Sequence, residues 1–189
     1  MPFRHLSPFL TLCCAICWPL LSPLSAQEWL ITDSAPGYLT HIAADRAHQR
    51  LIGLGDYPPQ TWSMDGQAWH QHQPDGLDAT HANPVGVRAL GYDEARGETV
   101  LAVERYAGST QTFANYVLRG AGWRLASTGT TVAAAAATAY DFNSGQLIAF
   151  GGTTGFGSSP TDAMSAWNGT SWVSLTPSVR PSPRTGAAM

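Results

Sequence analysis

A repeat of about 48 residues constrains this chain more than any other feature. Asp45, Asp93 and Asp141 are 48 residues apart, and the residues that follow each Asp align without gaps. A short apolar run begins within seven residues of each Asp. A period of this length, with several short strands in each unit, is typical of an array of small β-sheets. The sequence therefore predicts one sheet per repeat.

A second piece recurs later in each repeat, where a Trp follows a Gly by three residues. Asn168-Gly169 precedes Trp172 and is a typical hairpin turn. An aromatic residue also stands before each turn. The three Gly/Trp pairs are Gly66/Trp69, Gly120/Trp123 and Gly169/Trp172, and the preceding aromatics are Trp62, Tyr116 and Trp167.

The composition fits an all-β chain that is rich in turns. It contains 19 Gly and 13 Pro in 189 residues. The apolar runs are continuous rather than alternating, which is typical of strands buried on both faces. A β-sandwich with accidental periodicity is the alternative. The predicted fold class is all-β, with about three small sheets.

The third repeat resembles a Kelch repeat, and the chain resembles the galactose oxidase/Kelch β-propeller group in its secreted bacterial form. Tyr-Asp is followed by an apolar strand, a Gly-Gly pair and a Trp, and Pro-Arg-x-Gly opens the next copy. Copies one and two carry Gly55-Asp56 and Val103-Glu104 in place of Gly-Gly, and Arg88 is displaced from the family position. The signature residues are Asp45, Trp69, Tyr92, Asp93, Trp123, Tyr140, Asp141, Gly151, Gly152, Trp172, Pro183, Arg184 and Gly186.

The resemblance implies a Kelch-type propeller with about three four-stranded blades, the start of a fourth and an incomplete ring. Propellers usually have four to eight blades, so we expect a fragment of a longer chain. The expected segments are a signal peptide (1–26), an N-terminal strand (27–36), blade 1 (37–83), blade 2 (84–131), blade 3 (132–182) and the start of blade 4 (183–189).

The alanine run at 132–139 favours a helix by propensity, because Ala is the best helix former. Tyr140-Asp141 follows it at the same offset as Tyr92-Asp93 in the previous repeat. We therefore predict a strand.

The first 26 residues have the organisation of a secretory signal peptide. Arg4 and His5 precede an apolar core at 6–21, and Leu24-Ser25-Ala26 is a candidate cleavage site. An uncleaved anchor is the alternative. The predicted localisation is secreted, either extracellular or periplasmic.

All three cysteines, Cys13, Cys14 and Cys17, lie in this segment, so the predicted mature chain has none. The related oxidases use copper with a cross-linked Tyr–Cys, which this mature chain cannot form. We predict no cofactor.

The charge distribution argues against nucleic acid as a partner. Ten Arg and no Lys stand against 13 acidic residues, and the Arg residues are scattered along the chain. Nucleic-acid binding requires a basic cluster. The sequence has no amphipathic basic segment that would indicate binding to a membrane after signal cleavage.

Several short patterns permit chemistry but fit simpler structures. His70, His72 and His81 could hold a metal, although we interpret them as exposed. Asp75 and Asp78 fit a turn, and Gly155 to Pro160 fits an inter-strand loop rather than a phosphate cradle. Asn168-Gly169-Thr170 matches a glycosylation sequon and also a hairpin turn. We therefore assign no catalytic, cofactor-binding or metal-binding residue.

The predicted function is a secreted, non-catalytic module that binds a protein or carbohydrate through loops at 56–60, 104–111 and 153–162. One alternative is part of an exported carbohydrate-active enzyme whose catalytic residues lie beyond residue 189. A structural surface-layer or adhesion segment is another. Self-association through open blade edges is also expected.

Overall fold

A computed structural model describes one compact unit within residues 32–189. The predictions for the signal peptide and nearly all of the N-terminal strand lie outside the described residues. Among the described residues, no helix is long and apolar enough to span a membrane. The described residues are 36–55, 60–72, 77, 84–107, 109–120, 122–155, 158–187 and 189.

The described chain is all-β and forms three four-stranded antiparallel sheets, as predicted. Within each sheet the strands follow one another in chain order. Sheet 1 contains β1 (Leu39–Asp45), β2 (Arg50–Gly55), β3 (Thr61–Met64) and β4 (Trp69–Gln71). Sheet 2 contains β5 (Pro84–Asp93), β6 (Glu98–Ala107), β7 (Thr110–Arg119) and β8 (Gly122–Thr128). Sheet 3 contains β9 (Ala137–Asp141), β10 (Gln146–Phe150), β11 (Met164–Trp167) and β12 (Trp172–Leu175).

The repeated Asp ends the first strand of each sheet and shapes the hairpin that follows. Asp93 accepts a hydrogen bond from the Ala95 backbone N–H at 3.1 Å, and Asp141 accepts one from Asn143 at 2.9 Å. Gly97 and Gly145 close these turns with φ of 64° and 66°. Such positive φ favours glycine, which explains why the repeat places Gly four residues after Asp.

Consecutive sheets pack through their first strands, β1 against β5 and β5 against β9. One apolar cluster fills the space between sheets 1 and 2, and another fills the space between sheets 2 and 3. Hydrogen bonds cross both spaces. Trp123 Nε1 donates to Thr61 Oγ1 at 2.7 Å, and Thr138 Oγ1 donates to the Leu90 carbonyl at 2.6 Å. No closed ring is seen in the part of the chain that the structure describes.

The paired glycines after β10 allow two backbone segments to approach closely. A Cβ at Gly151 would lie 2.5 Å from the Arg184 carbonyl oxygen, and one at Gly152 would collide with the Ala134 carbonyl oxygen. The Gly152 N–H donates to the Arg184 carbonyl at 2.8 Å. The segment Pro183-Arg184-Thr185-Gly186 therefore docks on sheet 3 where the glycines leave room.

The alanine run forms no helix in the structure. Residues from Ala137 onward form β9, and Ala134 makes an isolated bridge to Thr153. Ala135 has φ of 56°, which interrupts the extended chain. Pairing with β10 therefore overrides the helix propensity of alanine.

Trp123→Phe tests the hydrogen bond between sheets 1 and 2. Trp123 is buried and its Nε1 is bonded to Thr61, so the free energy of unfolding should fall by about 1–3 kcal/mol in urea denaturation. Trp172→Phe is the matched control, because Trp172 is equally buried but its Nε1 has no hydrogen-bond partner among the described residues. An equal loss in both variants would show that ring volume, not the hydrogen bond, determines the effect.

Candidate functional site

The repeat-signature residues lie in corresponding places in the three sheets. The Asp residues stand at the ends of the first strands, and the late Trp residues lie at or near the start of the fourth strands. Trp123 and Trp172 are buried, whereas Trp69 is half-buried. Their contacts are between sheets and within hairpins, which gives them a structural role.

Tyr92 links sheet 2 to the first hairpin of sheet 1. Its hydroxyl accepts a hydrogen bond from the Ala47 backbone N–H at 3.2 Å and is hydrogen-bonded to the Asp45 carboxylate. Burial raises the pKa of Tyr92, so the hydroxyl stays protonated. Tyr92 of the second repeat is therefore a joint to the first repeat, where it meets Ala47 and Asp45.

Asp45 is almost fully buried and has several donors. Arg50 Nε donates to it at 2.8 Å, and His48 Nδ1 lies 2.9 Å from its carboxylate. Burial opposes the charge, but the hydrogen bonds from Arg50 and His48 outweigh it and hold the pKa of Asp45 below its usual value.

Asp45→Asn tests the pH dependence of this joint. A carboxylate with a lowered folded-state pKa stabilises the protein above its unfolded-state pKa of about 4, and the stabilisation is lost as pH falls through the folded value. The variant should lose about 1–2 kcal/mol at neutral pH. The difference from wild type should shrink as urea denaturation is repeated below about pH 4.

Asp162→Asn is the control for that series, because Asp162 is about two-fifths exposed and pairs with Arg180 at 3.6 Å. A gap between Asp45→Asn and wild type that stays constant from neutral to acid pH would contradict the assignment.

Arg96 makes the corresponding link from sheet 2 to sheet 3. Its guanidinium donates to Asp93 at 2.8 Å and to the Asn168 carbonyl at 2.9 Å. Asn168 lies in the β11–β12 turn, where its side-chain oxygen accepts the Thr170 and Ser171 N–H groups at 2.9 Å each. The sequon residues thus form a capped hairpin turn, although Asn168 itself is exposed.

The clearest departure from the repeat is the length of the β6–β7 hairpin. β6 and β7 have ten residues each, whereas the corresponding strands have six and four in sheet 1 and five and four in sheet 3. The prediction of a loop at 104–111 is wrong, because most of these residues are strand. Sheet 2 carries Val103-Glu104 where sheet 3 has Gly151-Gly152, so its strand continues.

The two other predicted loops differ from this hairpin. Residues 153–162 are irregular where they are described, with Thr153 bridged to Ala134 and to Pro160. Most of the loop at 56–60 lies outside the described residues.

A charged and aromatic cluster lies along the extended hairpin; we call it the hairpin cluster and define it as Arg88, Glu104, Tyr106 and Phe113. Arg88 is the extra residue in an irregularity of β5 between Val87 and Ala89. Its guanidinium lies 4.8 Å from the centre of the Phe113 ring. Glu104 and Phe113 are cross-strand neighbours and share one sheet face.

Arg88 is only 2% exposed. Its Nη2 lies 3.4 Å from a Glu104 carboxylate oxygen and donates to the Thr154 carbonyl at 3.2 Å. Its Nε has no hydrogen-bond partner among the described residues. Burial lowers the pKa of Arg88, and the Glu104 carboxylate acts in the opposite direction. The Arg88–Glu104 ion pair therefore holds a charged group in the buried contact between sheets 2 and 3.

Tyr106 is the member of the hairpin cluster that is exposed at the surface. Its ring is 39% exposed, and its hydroxyl is hydrogen-bonded to Glu104, which raises the pKa of Tyr106. An exposed ring next to a fixed carboxylate can stack on a sugar or an apolar side chain while the carboxylate accepts a hydrogen bond. Sequence reasoning missed this cluster. The missing Gly-Gly pair at 103–104 was the pattern that could have revealed it.

The two candidate metal histidines that the structure describes, His70 and His72, have different partners. His70 Nε2 lies 2.9 Å from the Asp65 carboxylate, and His72 Nε2 lies 2.9 Å from Ser63 Oγ. Backbone hydrogen bonds from Gln67 and Ala68, followed by the His70 contact, lower the pKa of Asp65 to about 2. No cluster of three metal-binding side chains occurs among the described residues.

Three further candidates, His81, Asp75 and Asp78, lie outside the described residues. Gly155 is described, and its carbonyl accepts the Ser158 N–H at 3.1 Å, a short turn.

Comparison with protein-family models finds no family that matches this chain, and comparison with curated proteins finds no similar one.

Glu104→Gln tests the buried charge pair. It leaves Arg88 buried without a carboxylate, so the free energy of unfolding should fall by about 3 kcal/mol in urea denaturation, the lower end of the range for breaking a buried ion pair. Arg88→Met added to that variant removes the unpaired charge and should recover part of the loss. Additive losses in the double variant would contradict a coupled pair.

Proposed function

We propose that this protein is a secreted Kelch-type β-propeller, or part of one, that acts as a non-catalytic interaction module. The three four-stranded antiparallel sheets and the Tyr92–Asp45 joint between the first two sheets support the Kelch assignment. Export rests on the order of polar start, apolar core and small-residue site in residues 1–26.

The single observation that carries the functional proposal is the extended β6–β7 hairpin with an exposed aromatic ring at its end. The repeat would end β6 at about residue 103, but the strand continues to Ala107. Insertions into single repeats map to one face of a repeat protein, which is often its binding face. The β6–β7 hairpin is therefore the proposed recognition element.

The chemistry of the hairpin cluster favours carbohydrate over protein as the ligand. Tyr106 offers the face of a ring that is 39% exposed, and a hydrogen bond with Glu104 raises the pKa of its hydroxyl. Arg88 supports Glu104 from the interior. Sugar rings present an apolar C–H face and a rim of hydroxyl groups, which match an aromatic surface beside a carboxylate acceptor.

Native affinity electrophoresis tests this proposal. The full chain is run through gels that contain soluble dextran, xylan or pectin, and at least one of them should retard it. Tyr106→Ala should weaken the retardation about tenfold, as expected for the loss of a central aromatic contact. Phe142→Ala is the matched control, because Phe142 is 68% exposed but lies next to the repeated Asp rather than in the hairpin cluster.

Equal effects of the two variants would refute the hairpin cluster as the binding surface. No retardation by any of the three polysaccharides would refute the carbohydrate assignment.

A further inference from the structure

The two sheet-to-sheet contacts within the chain follow one pattern. In each, the later sheet contributes an aromatic pair that is buried against the earlier sheet. The pair is Tyr116 and Trp123 in sheet 2, with 1% and 4% exposure, and Trp167 and Trp172 in sheet 3, with 0% and 5%. We call the face that carries this pair the front face of a sheet, and the opposite face its back face.

The corresponding pair in sheet 1 is Trp62 and Trp69, and it is only half-buried. Trp62 shares the front face with Ile42, and Trp69 shares it with Leu51, as the strand pairing shows. Ile42 is 54% exposed and Leu51 is 38% exposed. The front face of sheet 1 thus has the aromatic pair of an inter-sheet contact but remains largely open.

The back face of sheet 3 is partly open in the complementary way, although Phe150 on the same face is buried. Ile148 and Val173 lie in one row across this face. The repeat makes Ile148 equivalent to Ile52 and Val100, which are fully buried in the two inter-sheet contacts, whereas Ile148 is only half-buried. Val173 is 47% exposed. This face has the residues that receive an aromatic pair in the other two sheets.

We propose that two copies of this chain associate head to tail, with the front face of sheet 1 in one copy packed on the back face of sheet 3 in the other. Each such contact repeats, between chains, a contact that the chain makes twice within itself. Two contacts of this kind related by a two-fold axis close a ring of six sheets, within the range of four to eight found in propellers.

Light scattering on a size-exclusion column tests the proposal with the full chain at micromolar concentration. The wild type should have twice the sequence mass. Leu51→Asp places a charge on the front face of sheet 1, and Val173→Asp places one on the back face of sheet 3. Each variant should be a monomer, since every contact in its dimer would contain the charged face.

A mixture of the two variants distinguishes head-to-tail from face-to-face association. The mixed dimer has one contact between two unaltered faces, so mixing should restore a species of twice the sequence mass. In a face-to-face dimer one of the two variants would remain dimeric alone, and mixing would restore nothing.

Leu125→Asp is the matched control, because Leu125 is 48% exposed on β8 of sheet 2 and lies on neither open face. It should leave the dimer intact. Circular dichroism and a cooperative melt should show that all three variants fold.

A wild-type monomer, or a variant at position 51 or 173 that still dimerises, would overturn the proposal. Neither result would bear on carbohydrate binding by the hairpin cluster, which lies in sheet 2 and is measured by gel retardation.

Discussion

The structure depends on burial of aromatic side chains between consecutive sheets. Each sheet alone is too small to bury its own apolar faces, and only contact with a neighbour removes them from water. Burying a Trp contributes about 2–3 kcal/mol, and Trp123 adds a hydrogen bond to Thr61. The Tyr92–Asp45 joint and the Arg96–Asn168 link occur at the hairpins beside these contacts, where they fix the position of one sheet against the next.

The sequence predicted those parts of the fold that recur. Asp at a fixed interval, Gly four residues later and Trp after a turn each have a local physical cause, and three copies reinforce one another. The alanine run was likewise predicted from its position in the repeat. Its propensity favoured a helix, but the position of Tyr140-Asp141 predicted a strand, and the structure has β9 from Ala137.

The candidate site was missed because it lies where the repeat is broken. In the sequence, Val103-Glu104 stands where the third repeat has Gly151-Gly152, and this difference alone indicates only an imperfect copy of the motif. In the structure this difference changes the length of a strand. β6 has no paired glycines at this position, and it extends to Ala107. The position of Arg88 could not be predicted either, because a β-bulge decides which way its side chain points.

Arg88 also limits how such a gene can change. Tandem copies invite unequal recombination, which deletes or duplicates one period. An exchange that separated Arg88 from Glu104, or removed the Thr154 carbonyl of the next repeat, would leave a buried charge without its partner. Apolar contacts between repeats tolerate such shuffling, whereas a buried ion pair does not. The second repeat is therefore fixed in its place in the order.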